Sequence, residues 1–73
     1  MSYVVFKREL HIGGNVYPAG TIGKVRTADN YDKVNAVSTD TGERISVPYA
    51  DSTPCDTLND AIAIASKYPP IGV

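Results

Sequence analysis

The run Tyr3-Val4-Val5-Phe6 constrains the fold more than any other stretch of the chain. β-branched and aromatic side chains favour a strand, and alternate residues of a strand point to opposite faces. Tyr3 and Val5 therefore share one side, and Val4 and Phe6 share the other. Both sides are apolar. One side meets the core, and the other needs a second cover or a partner. Charges follow at Lys7, Arg8 and Glu9, so the strand is read over Ser2 to Leu10.

The chain around this strand has 73 residues, the length of a single domain over 1–73. A domain of that size buries only about 60% of the surface its unfolded chain exposes. A thin core leaves little room for a deep substrate cavity. "HIGGNVYP" supplies the positive φ angles of a tight turn at Gly13-Gly14-Asn15, and Val16-Tyr17 starts a short return that Pro18 stops. Gly20 to Thr27 reads as the next strand, "TADNYD" as a polar turn, and Lys33 to Thr39 as a further strand. Asp40-Thr41-Gly42 is a hairpin turn with Gly in the left-handed position, and "ERISVPY" returns with Ile45 and Val47 on one face. Thr27 to Val47 is thus a β-meander.

The period changes near the C-terminus. Leu58, Ala61, Ile62 and Ala65 fall at i, i+3, i+4 and i+7, one face of a helix between about Asp56 and Tyr68. Two starts compete: Thr53-Pro54-Cys55-Asp56, with proline at the first helical position, and Thr57-Leu58-Asn59-Asp60, close to a capping box. Pro69 and Pro70 stop the helix at Tyr68, and residues 69–73 are read as a flexible tail. The fold class is α+β and mainly β: a small antiparallel sheet of four or five strands with one C-terminal helix packed on it through Leu58, Ile62 and Ala65.

Charge and composition narrow the function. Lys and Arg number 7 against 8 Asp and Glu, for a net charge of −1. A protein whose main task is gripping nucleic acid draws on many cationic contacts to phosphate, so direct nucleic-acid contact is secondary. The single cysteine, Cys55, allows no internal disulfide and suits a reducing cytosol. No apolar run approaches the roughly 20 residues of a membrane-spanning helix. "MSYVVFKREL" lacks the pattern of a secretory signal, which makes the cytoplasm the expected compartment. His11, the only histidine, and Cys55 make no recognisable catalytic pair, and one His with one Cys falls short of a structural metal site. Asp29-Asn30-Tyr31-Asp32 lacks the spacing and the distal Glu of a calcium loop. No catalytic residue, metal or cofactor is expected. Five tyrosines are many for so thin a core, and tyrosine is enriched at interfaces.

Gly20-x-x-Gly23-Lys24-Val25 resembles the glycine–valine pattern of the KOW motif, found in small SH3-like barrels of ribosomal proteins and transcription elongation factors. The resemblance covers Ala19 to Val37. It implies an SH3-like sheet with glycines that permit strand bending and Val25 entering the core, and it offers Lys24, Arg26 and Lys33 for RNA contact. The net charge favours the bending role. Over its whole length, from the "MSYVVFKREL" start through the meander to the short helix, the chain resembles small phage-encoded transcription regulators that bind host RNA polymerase. That resemblance implies a non-enzymatic protein of the bacterial cytoplasm that docks on a large partner, and the free chain is expected to be a monomer. It would inhibit initiation by displacing or occluding σ and would promote antitermination. The residues offer a partner surface of their own: Val4, Phe6 and Arg8 on one side of the first strand, Lys24 and Arg26 on one face of theirs, and Tyr31 at the adjoining turn. The open edge of a terminal strand is also a template for a partner's extended peptide. The alternatives are an SH3-like nucleic-acid-binding module and a structural phage or plasmid component.

Overall fold

In a computed structural model the described residues are 2–68. The tail read over residues 69–73, with its two prolines, lies outside them. The elements are β1 (Tyr3–Phe6), β2 (Leu10–Ile12), β3 (Asn15–Tyr17), β4 (Ile22–Asp29), β5 (Val34–Ser38), β6 (Arg44–Pro48), a 3-10 turn (Tyr49–Asp51), β7 (Ser52–Cys55) and α1 (Leu58–Ala65). A five-stranded antiparallel sheet runs in the order β6-β5-β4-β1-β7, and β2 and β3 form a separate hairpin. The fold is therefore mainly β, with one C-terminal helix.

The sheet explains the doubly apolar first strand. β1 is an inner strand, flanked by β4 and β7, so its edges are both occupied and offer no template for a partner's peptide. Its two faces are covered by two different elements. Val4 and Phe6 pack with Leu10 and Tyr17 of the β2–β3 hairpin and with Val37 and Val47 of the sheet. Val5 packs with Cys55 and with Ala61 of α1. Val4, Val5 and Phe6 are fully buried, and each such side chain contributes about 1.5–3 kcal/mol. The second cover that the sequence demands comes from within the chain. The strand also stops at Phe6; Lys7 to Glu9 turn the chain so that Leu10 opens β2.

Local chemistry sets the turns. Gly13 (φ 59°) and Gly14 (φ 81°) both take left-handed conformations between β2 and β3, the pair of angles that a two-residue hairpin turn requires. Asp29 Oδ1 accepts from the backbone N–H groups of Tyr31 (2.9 Å) and Asp32 (3.1 Å), so "DNYD" is an Asx-type turn. These bonds, that of Asp32 above all, hold the Asp29 carboxyl below its ordinary value. Gly20 and Gly23 act differently from the bending expected of them. Gly20 sits in the turn before β4 with φ 89°, and an added Cβ would lie 3.0 Å from Cβ of Tyr68. Gly23 lies in β4 beneath Val37, whose Cγ2 would be 2.9 Å from an added Cβ. The irregularity in β4 falls instead between Val25 and Thr27, where Arg26 is the extra residue of a bulge.

The helix starts where the second signal placed it. Thr57 is the N-cap, and its Oγ1 accepts from the Asp60 N–H at 3.1 Å. "STPC" forms β7 rather than a helical turn. The buried face differs from the one expected: Ala61 is fully buried, and Ile64, Ala65 and Tyr68 pack beside it, whereas Leu58 and Ile62 are 47% and 51% exposed. Ala61, Ile64, Ala65 and Tyr68 also fall at i, i+3, i+4 and i+7. Alanine at the centre of that stripe lets the helix axis come close to Val5, which a larger residue would prevent.

One core position is polar. Asn35 in β5 pairs in register with Ala28 and Val47, is only 2% exposed, and its Oδ1 accepts no hydrogen bond. Burying an unpaired amide oxygen costs roughly 1–3 kcal/mol.

Candidate functional site

A groove of about 720 Å³ lies between α1, β3, the first half of β4 and the turn joining β5 to β6. Its apolar wall comes from Leu58 and Ile62 of α1, Val16 of β3, Ile22 of β4 and Tyr3 of β1. Val16, at 54% exposed, with Leu58 and Ile62, makes up three of the four large apolar residues left exposed among the described residues; Tyr31 is the fourth. The three come together because α1 carries more apolar residues than its buried stripe can take, and Leu58 and Ile62 face the hairpin residue Val16 across the groove.

Cations border this groove. Lys24 lines it and pairs in register with Tyr3 on one side and Ser38 on the other, and Ser38 pairs with Arg44. Directly paired residues share a face, and neighbouring strands lie about 4.8 Å apart. Lys24 and Arg44 thus stand two strands apart on the helix side of the sheet, beyond the part that α1 covers. Arg26 Nη1 donates to Ser38 Oγ at 3.2 Å, which brings a third cation over the same residue. All three are exposed, and among the described residues no ion pair engages them.

The opposite rim is acidic and largely committed to structure. Glu43 Oε2 accepts from Tyr17 Oη (2.7 Å) and Asn15 Nδ2 (2.9 Å), tying the β2–β3 hairpin to the β5–β6 turn. The bond to Glu43 is the main reason that the Tyr17 hydroxyl is held above its ordinary pKa. Gly42 (φ 85°) supplies the left-handed residue of that turn.

The surface expected from the sequence is divided by this structure. Val4 and Phe6 are in the core and are not part of any surface, because the hairpin covers their face. Arg8 Nε pairs with Asp51 Oδ1 at 3.1 Å, beside the 3-10 turn. Tyr31 is 94% exposed in the β4–β5 turn, at the far end of β4 from Lys24. Lys24 and Arg26 alone are brought together, joined by Arg44, which the sequence reading passed over. Leu58, Ile62 and Val16 were also missed as surface residues. The available signal was the second apolar stripe on α1.

His11 and Cys55 are not neighbours in the fold. His11 lies exposed on β2 with its Nε2 2.8 Å from Glu9 Oε1. Cys55 is buried on the helix side, where burial, with Asp60 and Asp56 adding to it, raises the thiol pKa. Among the described residues no group of three His, Cys, Asp or Glu side chains is placed to hold a metal ion, and no helix is long and apolar enough to cross a membrane. Comparison with protein-family models, curated proteins and solved structures finds no match to this chain.

Proposed function

We propose that this chain is a small, non-enzymatic regulator of the bacterial cytoplasm that binds RNA polymerase, and that the groove beside α1 is its docking site. The observation that carries the reading is the convergence of Leu58, Ile62 and Val16 on one open groove. Their exposure does nothing for folding, and apolar anchors in a concave, rimmed site are what protein interfaces use. The Lys24–Arg26–Arg44 row beside the groove complements an acidic patch on the partner and would steer encounter. The occupant is therefore an apolar side chain of polymerase flanked by carboxylates. The whole-chain resemblance to phage regulators of polymerase supplies the partner's identity. A chain of this size covers roughly 800 Å² of a partner, enough to compete with σ and so to inhibit initiation; antitermination would follow from remaining bound during elongation.

The test uses purified bacterial RNA polymerase, with and without σ. Saturable binding to the core enzyme, competition with σ, and fewer promoter transcripts are expected. Leu58→Ala/Ile62→Ala should weaken binding at least about tenfold, and Lys24→Glu/Arg26→Glu should slow association. Binding unchanged in both variants would overturn the docking site, and no binding to any polymerase form would overturn the function. The nucleic-acid-module reading draws on the same three cations. It predicts instead that the chain binds free RNA or DNA with affinity falling steeply as salt rises.

A further inference from the structure

A second cleft, of about 360 Å³, lies across the molecule from the groove and is lined by Lys7, Ala28, Asn30, Asn35, Tyr49, Ser52 and Pro54. We propose that it is a binding site for a small carboxylate-bearing group. Val37, two residues on from Asn35 in β5 and on the same face, is fully buried among apolar side chains, and a β-branched residue at 35 would continue that pattern. Asn35 lines the cleft while its Oδ1 is enclosed without a partner, and we infer that its Nδ2 is the end that meets the cleft. A buried acceptor left unsatisfied calls for an explanation, and a ligand on the donor end of the same amide supplies one.

The remaining polar groups point to the ligand's chemistry. Asn30 Oδ1 is occupied by the Tyr49 hydroxyl at 2.9 Å, so the free end of the Asn30 amide is its N–H₂ donor. The Ser52 hydroxyl is turned to the Pro48 carbonyl at 3.5 Å. Lys7 adds a positive charge, its side chain in no ion pair among the described residues. No carboxylate lines the cleft, and nearby Asp51 is taken by Arg8. The site therefore presents amide donors and one cation, with apolar wall from Pro54, Ala28 and the Tyr49 ring. A carboxylate matches this set: it carries one negative charge against one lysine and accepts on both oxygens. A phosphate dianion would leave charge unbalanced, with no arginine or backbone nest to meet it. The source is either a free small acid or a carboxylate on a peptide.

The experiment is an NMR titration of the ¹⁵N-labelled full chain with propionate, with a short peptide bearing a free C-terminal carboxylate, with the same peptide amidated, and with inorganic phosphate. Saturable shifts at Lys7, Ala28, Asn30, Asn35 and Tyr49 are expected with propionate or the free-acid peptide, and not with the amidated peptide. The tighter of the two binders identifies the source. Lys7→Ala, at an exposed position, should weaken that binding at least about fivefold. Asn35→Val should abolish it while raising Tm by about 5 °C, because the orphaned acceptor is removed. Three outcomes overturn the proposal: no saturable shift with any carboxylate, shifts that persist in both variants, or tighter binding of phosphate than of carboxylate.

Discussion

Replacing Leu58 by alanine separates the helix face that holds the fold from the face that lines the groove. A fully buried leucine side chain contributes about 1.5–3 kcal/mol. Leu58 keeps 47% of its surface exposed, so about half of that, near 1 kcal/mol, is at stake. The vacated space opens onto the groove, so no enclosed cavity adds the further cost that takes a buried Leu→Ala change to about 2–5 kcal/mol. Urea denaturation followed by far-UV circular dichroism should show a cooperative transition with an unchanged slope and a loss of about 1 kcal/mol, or a Tm lower by about 4–8 °C. Ala61→Leu on the buried stripe should cost more, at least about 1–3 kcal/mol, because Ala61 is fully buried and the extra carbons must push α1 away from Val5. A loss above about 3 kcal/mol for Leu58→Ala, or a neutral Ala61→Leu, would refute the assignment of the two faces.

Gly23→Ala should destabilise by about 1–3 kcal/mol, since the new Cβ would meet Val37 Cγ2 at 2.9 Å; in a Val37→Ala background the penalty should shrink, which a double-mutant cycle measures. Tyr17 binds its proton more tightly in the folded chain, so its contribution is complete below pH of about 10 and is lost as pH rises through the raised folded pKa; alkaline denaturation of Glu43→Ala should lack that part of the slope. Asp29 is shifted the other way. Its contribution is complete above the ordinary carboxylate range and is lost as pH falls through the depressed folded pKa, and Asp29→Ala should remove that part of the acid-side slope.

Much of this fold was legible because the relevant signals are local. The Gly13-Gly14 turn and the Gly42 turn each follow from a few adjacent residues whose backbone angles admit few alternatives, and Thr57 was one of the two caps that the local residues offered. The meander followed from strand alternation bounded by turns. What could not be read was set by how separate elements pack on one another. The apolar pattern of Tyr3–Phe6 states that both faces are covered and does not say by what; the hairpin and α1 are contributed by opposite ends of the chain. On α1 two overlapping stripes satisfy the same periodicity, and the choice between them depends on how closely the helix approaches Val5. The candidate site suffered most. Val4 and Phe6 were placed outside because the hairpin's cover is invisible locally. Arg44 joins Lys24 only through the register of two strand pairs. Asn35 looks like any polar residue of an alternating strand until its neighbour Val47 proves to be in the core.

The central claim, that the groove beside α1 is the face presented to polymerase, is tested most directly by photocrosslinking. A photoreactive side chain is placed singly at Val16, Lys24 or Ile62, and as controls at His11 or Tyr31, and each protein is irradiated with purified bacterial RNA polymerase. Crosslinks are expected from the positions of Val16, Lys24 and Ile62, suppressed by excess unmodified protein, and none from His11 or Tyr31. Crosslinks from Tyr31 or His11, with none from Val16 and Ile62, would contradict that claim.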